Sequence, residues 1–223
     1  MSVFYFAIGA CIGSFLYCCI ERIEQGITIG KARSFCFYCQ KNLTLPDLIP
    51  IVSYLFTLGK CRMCKRSLPL SYPIFEFICG ILTLLTHLQL LTLREYFIAL
   101  ILISLSLFDI SSKSFPFICW LLPFSFLFIS SENKRLALFF ILLSVTSTLF
   151  SIGIGSGDFL AFALLALEIT PFSLIWIIQI SAFLGIFYML ARKKKGAIPF
   201  IPCLTLGYFI TLILEGINLI KSF

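Results

Sequence analysis

Eight apolar runs dominate the chain and constrain its fold more than any other feature of the sequence. Hydrophobic residues make up 60% of the chain and charged residues only 12%, and the mean hydropathy is +1.07, which is far from the composition of a soluble domain. A bilayer core about 30 Å thick is crossed by apolar helices of about 20 residues. The sequence therefore predicts an all-α polytopic membrane protein with about eight transmembrane helices, at 2–20, 73–93, 96–109, 115–130, 136–152, 158–170, 171–191 and 197–220.

Three parts of the chain are predicted from the spacing of these runs. Residues 1–20 form the first transmembrane helix, 21–72 form a small cytoplasmic loop domain, and 73–223 form the remaining transmembrane helices. We expect the first run to be a retained helix. No basic segment precedes it and no small-residue cleavage site follows it, and a signal peptide has both.

Lysine and arginine set the predicted orientation, because they are enriched in cytoplasmic loops. With alternating segments, 13 of the 17 basic residues fall on the side of the loop 21–72, including the run 192–195. The loop is therefore predicted to be cytoplasmic, with the N-terminus outside the cell. The net charge of +7 follows from this topology and from attraction to anionic lipids, so no nucleic-acid partner is expected. The four basic residues on the other side are Arg94, Lys134, Arg135 and Lys221.

Two C-x-x-C pairs in the loop predict a metal site. Cys36 and Cys39 form the first pair, and Cys61 and Cys64 form the second. Each pair can bring two thiolates to one ion, and two pairs complete the tetrahedral sulfur site that Zn²⁺ favours, which gives a zinc-ribbon-like domain. Four protein ligands leave no open position, so the ion is expected to be structural. Redox chemistry and disulfides are the alternatives, and a cytoplasmic location disfavours disulfides.

Two aspartates lie at the predicted cytoplasmic ends of apolar segments. Asp109 ends one segment, and Asp158 follows a glycine-rich break that contains Gly153, Gly155 and Gly157. Two adjacent carboxyl groups can hold one proton between them, so one can activate water while the other donates a proton. This is the mechanism of aspartic proteases. Helix capping could explain Asp158 alone, and an ion or proton pathway could explain both residues.

The order of motifs resembles that of the bacterial type IV prepilin peptidases, which are membrane aspartic endopeptidases with a G-x-G-D signature. The resemblance covers nearly the whole chain. Besides the cysteine pairs, the motifs are Gly13-Ser14-Phe15-Leu16 with Arg22, the stretch from Asp47 to Leu55, Gly59-Lys60-Cys61-Arg62, Tyr72-Pro73 with Glu76, Asp109 with Pro116, Gly155-Ser156-Gly157-Asp158, and the stretch from Gly196 to Phe200.

The resemblance implies a function and assigns roles. Asp109 and Asp158 form the catalytic dyad, and Gly155 and Gly157 allow the substrate backbone to approach it. Prepilins or pseudopilins of pilus, competence or secretion systems are the substrates. Their leader peptide is cut on the cytoplasmic side of the plasma membrane, after the glycine that precedes the hydrophobic helix of the pilin. Members with the cysteine loop commonly also N-methylate the new terminus with S-adenosylmethionine.

The residues near the two aspartates depart from the family pattern at two places, and a second function is compatible with the sequence. Leu160 stands where the family usually has a lysine, and Ser111 and Ser112 precede Lys113, which displaces the usual basic neighbour of Asp109. The competing function is a non-enzymatic ion or proton carrier in the membrane, with the zinc-ribbon loop as a docking module.

Overall fold

The structure is a computed structural model that describes residues 1–30, 33–131, 133–150, 155–192 and 198–216. Several features named from the sequence lie outside the described residues. They are Gly153 of the glycine-rich break, Gly196 of the last motif, the basic residues 193–195, and Lys221.

The described chain is helical, and it contains no strand beyond two isolated bridges, so the predicted all-α class is confirmed. Each of the eight predicted segments overlaps a helix. The loop also contains a 3₁₀ turn at Leu45–Leu48 and a short helix at Val52–Phe56, α2, and the sequence predicted neither of them. The helices are α1 Ser2–Glu24, α2 Val52–Phe56, α3 Ser71–His87, α4 Leu93–Ser112, α5 Phe117–Ser130, α6 Lys134–Phe150, α7 Ser156–Ala166, α8 Pro171–Arg192 and α9 Ile201–Gly216.

Two of these helices meet the length and composition of a membrane span. Within the described ranges they are Ser2–Glu24 and Pro171–Ala191, which have 23 and 21 residues. Four others, among them α3 and α7, are apolar but shorter, with 10–17 residues. Eight crossings therefore remain a prediction of the sequence.

The chain folds as two compact units, Met1–Tyr96 and Phe97–Phe223. In the first unit, α1 and α3 pack as an antiparallel pair. The rings of Tyr5 and His87 stack at 3.7 Å at one end of the pair, and the hydroxyls of Tyr17 and Ser71 lie 2.8 Å apart at the other. The predicted first helix and loop domain thus share one compact unit with α3.

Gly9 makes the close contact between these two helices possible. A Cβ atom at this position would lie 2.4 Å from the carbonyl oxygen of Cys79 and 2.3 Å from the hydroxyl of Thr83. Gly13 lies one turn further along the same face, where a Cβ atom would lie 3.1 Å from the Cα atom of Glu76. Small residues four positions apart allow helix backbones to approach closely in apolar surroundings.

In the second unit, α7 is the most enclosed helix. Its residues Ala161 to Ala166 are all buried. Hydrogen bonds tie it to its neighbours: the indole of Trp120 in α5 donates to the carbonyl of Leu160 at 2.7 Å, and the hydroxyl of Ser144 in α6 donates to the carbonyl of Ser156 at 3.0 Å. These contacts fix the N-terminal turn of α7, which carries Asp158.

The first testable prediction concerns the pairing of α1 with α3. Replacement Gly9→Ala forces a Cβ atom against the backbone of α3, and overpacking of this kind costs about 1–3 kcal/mol. We expect a lower midpoint of thermal unfolding in detergent. Gly185→Ala in α8 is the matched control, because its nearest atom outside the helix lies 3.9 Å away. Equal midpoints for the two variants would contradict the close contact at Gly9.

Candidate active site and metal centre

The four cysteines of the loop come together as one cluster. Their sulfur atoms all lie within 4.8 Å of one another, and the Sγ atoms of Cys36 and Cys64 are 4.0 Å apart. A tetrahedral site with metal–sulfur bonds of about 2.3 Å places its sulfur atoms roughly 3.8 Å apart. All ten cysteines are unbonded in the structure. The cluster can therefore hold one metal ion.

The two C-x-x-C pairs adopt the same local structure. In each turn the first cysteine donates its backbone N–H to the carbonyl five residues on, at 3.0 Å for Cys36 and 2.9 Å for Cys61. Its own carbonyl accepts the N–H four residues on, from Gln40 at 2.7 Å and from Lys65 at 2.9 Å, and both of these donors have positive φ. The same turn therefore presents two thiols to the ion in each half of the cluster.

The second turn also favours a thiolate. Burial acts to raise the pKa of the Cys61 thiol, but hydrogen bonds from the backbone amides of Cys64 and Met63 and from neighbouring thiols outweigh it and lower this pKa to about 7. Because the thiolate is the form that binds metal, the cluster is prepared for an ion at neutral pH.

Side chains from outside the turns hold the loop in place. The buried guanidinium of Arg22 donates to the carbonyls of Ile29 at 2.9 Å and Arg33 at 3.2 Å, which ties the loop to the end of α1. The carboxylate of Glu76 in α3 accepts the backbone N–H of Ile51 at 2.6 Å. The sequence marked Arg22 and Glu76 only as members of motifs, because contacts between residues so far apart are not visible in it.

Asp109 lies in the last turn of α4 and is 8% exposed. Its Oδ2 atom accepts the backbone N–H of Ile201 at 2.9 Å, at the start of α9, and the amide of Phe200 faces the same carboxylate. The N-terminus of a helix favours a negative charge, so α9 offsets the unfavourable position of Asp109 at the end of α4. Lys113 also attracts this carboxylate electrostatically. A basic residue therefore acts on Asp109 even though Lys113 is displaced from the position of the family's usual basic neighbour.

Asp158 lies in the first turn of α7, where its backbone N–H donates to the carbonyl of Gly155 at 3.0 Å. Its carboxyl group is close enough to that of Asp109 for the two to repel each other electrostatically. The structure therefore brings together, within the unit Phe97–Phe223, two acids that are 49 positions apart in the sequence.

The two glycines before Asp158 each have a packing role. A Cβ atom at position 155 would lie 3.2 Å from the Oδ2 atom of Asp158, and one at position 157 would lie 2.9 Å from the ring of Phe115. Gly157 thus allows Phe115 to pack against the first turn of α7. The sequence did not single out Phe115, and contact of these glycines with a substrate remains a prediction.

Fold and site together define a class: an apolar helical membrane protein with a tetra-cysteine loop and a paired-carboxylate centre. Comparison with known proteins shows what the chain is similar to. Residues 7–90 match the bacterial peptidase A24 N-terminal domain. The chain is 29% identical to a prepilin leader peptidase/N-methyltransferase of Bacillus subtilis, over 91% of this chain and 90% of the relative.

Two other relatives with similar names also match most of the chain. The chain is 26% identical to a type 4 prepilin-like proteins leader peptide-processing enzyme of Escherichia coli, over 89% of this chain and 81% of the relative. It is also 26% identical to a prepilin leader peptidase/N-methyltransferase of Aeromonas hydrophila, over 85% and 74% of the two chains. No solved structure matches. These matches confirm the resemblance to the prepilin peptidases seen in the motifs.

The cysteine cluster generates the second testable prediction. Purified protein is expected to contain about one metal ion per chain, because four thiolates saturate a tetrahedral ion. Replacement Cys61→Ser removes a buried ligand, so we expect the bound metal, measured by elemental analysis, to fall to well below one ion per chain. Cys119→Ser in α5, outside the cluster, is the control and keeps the ion. Full metal content in the Cys61 variant would refute the site.

Proposed function

We propose that this protein is a membrane aspartic endopeptidase that removes the leader peptide of type IV prepilins or pseudopilins on the cytoplasmic side. Cleavage follows the glycine that precedes the hydrophobic helix of the pilin. The observation that carries the proposal is the pair formed by Asp109 and Asp158. The names of the relatives, which include prepilin leader peptidase and leader peptide-processing enzyme, support the substrate class.

The surroundings of the two carboxyl groups suggest different roles for them. Asp109 accepts a backbone N–H at the start of α9 and is attracted by Lys113, and both contacts favour its charged form. We therefore assign Asp109 as the base and Asp158 as the acid. The water oxygen bonds to the carbonyl carbon of the scissile amide as Asp109 takes a proton from the water. Asp158 gives its proton to the carbonyl oxygen, which forms a tetrahedral diol. Asp109 then passes its proton to the amide nitrogen, Asp158 takes back one hydroxyl proton, and the C–N bond breaks to leave a carboxylic acid and an amine.

The substrate class is consistent with a site at helix ends. A prepilin is itself a membrane helix with a basic leader, so it can approach laterally within the bilayer. The enzyme then needs no deep soluble cleft, and it needs carboxyl groups only at the depth where the leader meets the membrane. Gly155 has no side chain beside Asp158, which leaves room for the substrate backbone to approach the pair.

The loop carries the remaining parts of the proposal. Four thiolates favour Zn²⁺ among the ions present in cells, and a saturated site gives it a structural role. We also infer that the protein N-methylates the new terminus of the mature substrate with S-adenosylmethionine. The names of relatives that match over most of the chain, which include N-methyltransferase, support this second activity. The protein then lies in the plasma membrane with about eight crossings and its N-terminus outside.

The dyad generates the third testable prediction. Asp109→Asn and Asp158→Asn each remove a group that transfers a proton, so we expect cleavage of a prepilin to slow by at least about 10²-fold. The measurement is the rate of the gel shift from precursor to mature substrate, with purified enzyme in detergent.

The chain supplies its own control, because its only other aspartate is Asp47. Asp47 is 2.8 Å from Arg62 in the loop, outside the dyad, and Asp47→Asn is expected to cleave at the normal rate. Normal cleavage by both dyad variants would reject the aspartic mechanism. Absence of cleavage by the wild-type protein would favour the carrier function.

A further inference from the structure

The loop segment 45–58 exposes apolar side chains that a loop surrounded by water would bury. It comprises the 3₁₀ turn and α2, which are in contact, and the two residues after α2. Leu45, Phe56 and Leu58 are 83%, 82% and 84% exposed, and Leu55 is 66% exposed. Large apolar side chains gathered on one surface mark a contact with a membrane or with another protein. The proposed cleavage uses two aspartates of the other unit, so this surface has a different role.

α2 has the opposite polarity to a surface helix of a soluble protein. Its polar residues Ser53 and Tyr54 face inward, where they line the cavity between the loop, α1 and α3. The hydroxyl of Tyr54 donates to the carbonyl of Leu68 at 3.2 Å. Its apolar residues Leu55 and Phe56 face outward. A surface helix in water turns its apolar residues towards the core, so the reversed arrangement in α2 fits apolar surroundings.

The position of α2 along α3 indicates what covers the outward face. The backbone N–H of Ile51, which precedes α2, donates to the carboxylate of Glu76 at 2.6 Å. Glu76 follows Ser71, the first residue of α3, by five positions, so the contact lies about 8 Å from that end of the helix. At this level α3 itself exposes Ile74 and Phe77. α2 therefore begins beside the apolar part of α3 and not beyond its end.

Basic side chains follow the apolar ones. Lys60, Lys65 and Arg66, in the second cysteine turn, are all exposed. Anionic lipid headgroups attract basic residues that lie beside a membrane. An apolar face bordered by lysine and arginine is typical of an element that lies in the plane of the interface. Charge and depth along α3 together favour the bilayer, in preference to a protein, as the partner of this face.

We propose that the segment 45–58 lies in the cytoplasmic interface of the membrane, with its exposed leucine and phenylalanine side chains among the lipid chains. The basic residues of the second cysteine turn then lie at the headgroups. The inference rests on the proposed membrane topology and not on the peptidase activity. The metal-binding loop is thus held against the bilayer at a third place, besides its connections to α1 and α3.

Photo-crosslinking of the full chain in vesicles of phosphatidylethanolamine and phosphatidylglycerol tests this location. Phe56→benzoylphenylalanine places the photoreactive group on the outward face of α2. Tyr54→benzoylphenylalanine places it on the inward face of the same helix and is the matched control. We expect mass spectrometry to find lipid adducts from position 56 and a loss of these adducts at position 54. Phosphatidylglycerol is expected to exceed its share of the lipid mixture among the adducts, because the neighbouring residues are basic.

The metal content of each variant shows that its loop is folded. Lipid adducts at position 56 with none at position 54 support the proposal. Equal lipid adducts at the two positions, adducts that join two copies of the chain, or replacement of the lipid adducts by adducts with added prepilin overturn it. Cleavage of prepilin is measured on the same samples. Cleavage without lipid adducts at position 56 overturns the interfacial location and leaves the peptidase assignment standing, whereas lipid adducts without cleavage by the wild-type protein do the reverse.

Discussion

The cost of placing two carboxyl groups in an apolar helical protein is the constraint on which the functional site depends. An acid in such surroundings requires a partner, water or a proton. Asp109 finds its partners in the first amides of α9 and in Lys113. Asp158 has Asp109 as its neighbour, and like charges at close range favour a shared proton. A pair that holds one proton contains both an acid and a base, which is what hydrolysis of an amide requires.

The helices of the second unit provide the rigidity that this pair needs. α7 is short and enclosed, so its N-terminal turn is positioned by contacts with α5 and α6. α4 and α9 are joined near Asp109 by a hydrogen bond between the hydroxyls of Ser106 and Thr205, 2.7 Å apart. Each carboxyl group therefore projects from a helix end whose position other helices determine, and neither depends on a long loop.

The first unit solves a different physical problem. A loop of about fifty residues has too little apolar surface to fold on a core of its own, and a metal ion bound by four thiolates can replace that core. Arg22 and Glu76 then attach the loop to α1 and α3. A pocket of about 720 Å³ lies between the loop and these two helices, and Glu21 and Glu76 are among the residues that line it.

Much of this arrangement could be predicted from the sequence, and the rest could not, for identifiable reasons. Apolar runs located all the described helices except α2, and C-x-x-C spacing located the cysteine cluster, because both signals are local. The pairing of Asp109 and Asp158 followed from counting crossings. The contact between Asp109 and Ile201 joins residues 92 positions apart, and the packing of Phe115 on Gly157 depends on tertiary structure, so neither has a local signal. α2 is five residues long, too short to show helical periodicity.

The most direct measurement is an electron cryo-microscopy structure of the Asp158→Asn variant in a lipid nanodisc with an uncleaved prepilin bound. The account predicts that the scissile amide lies between the side chains at positions 109 and 158, at the cytoplasmic surface of the bilayer. If the two side chains face opposite sides of the bilayer, or the cleavage site contacts neither, the account is contradicted.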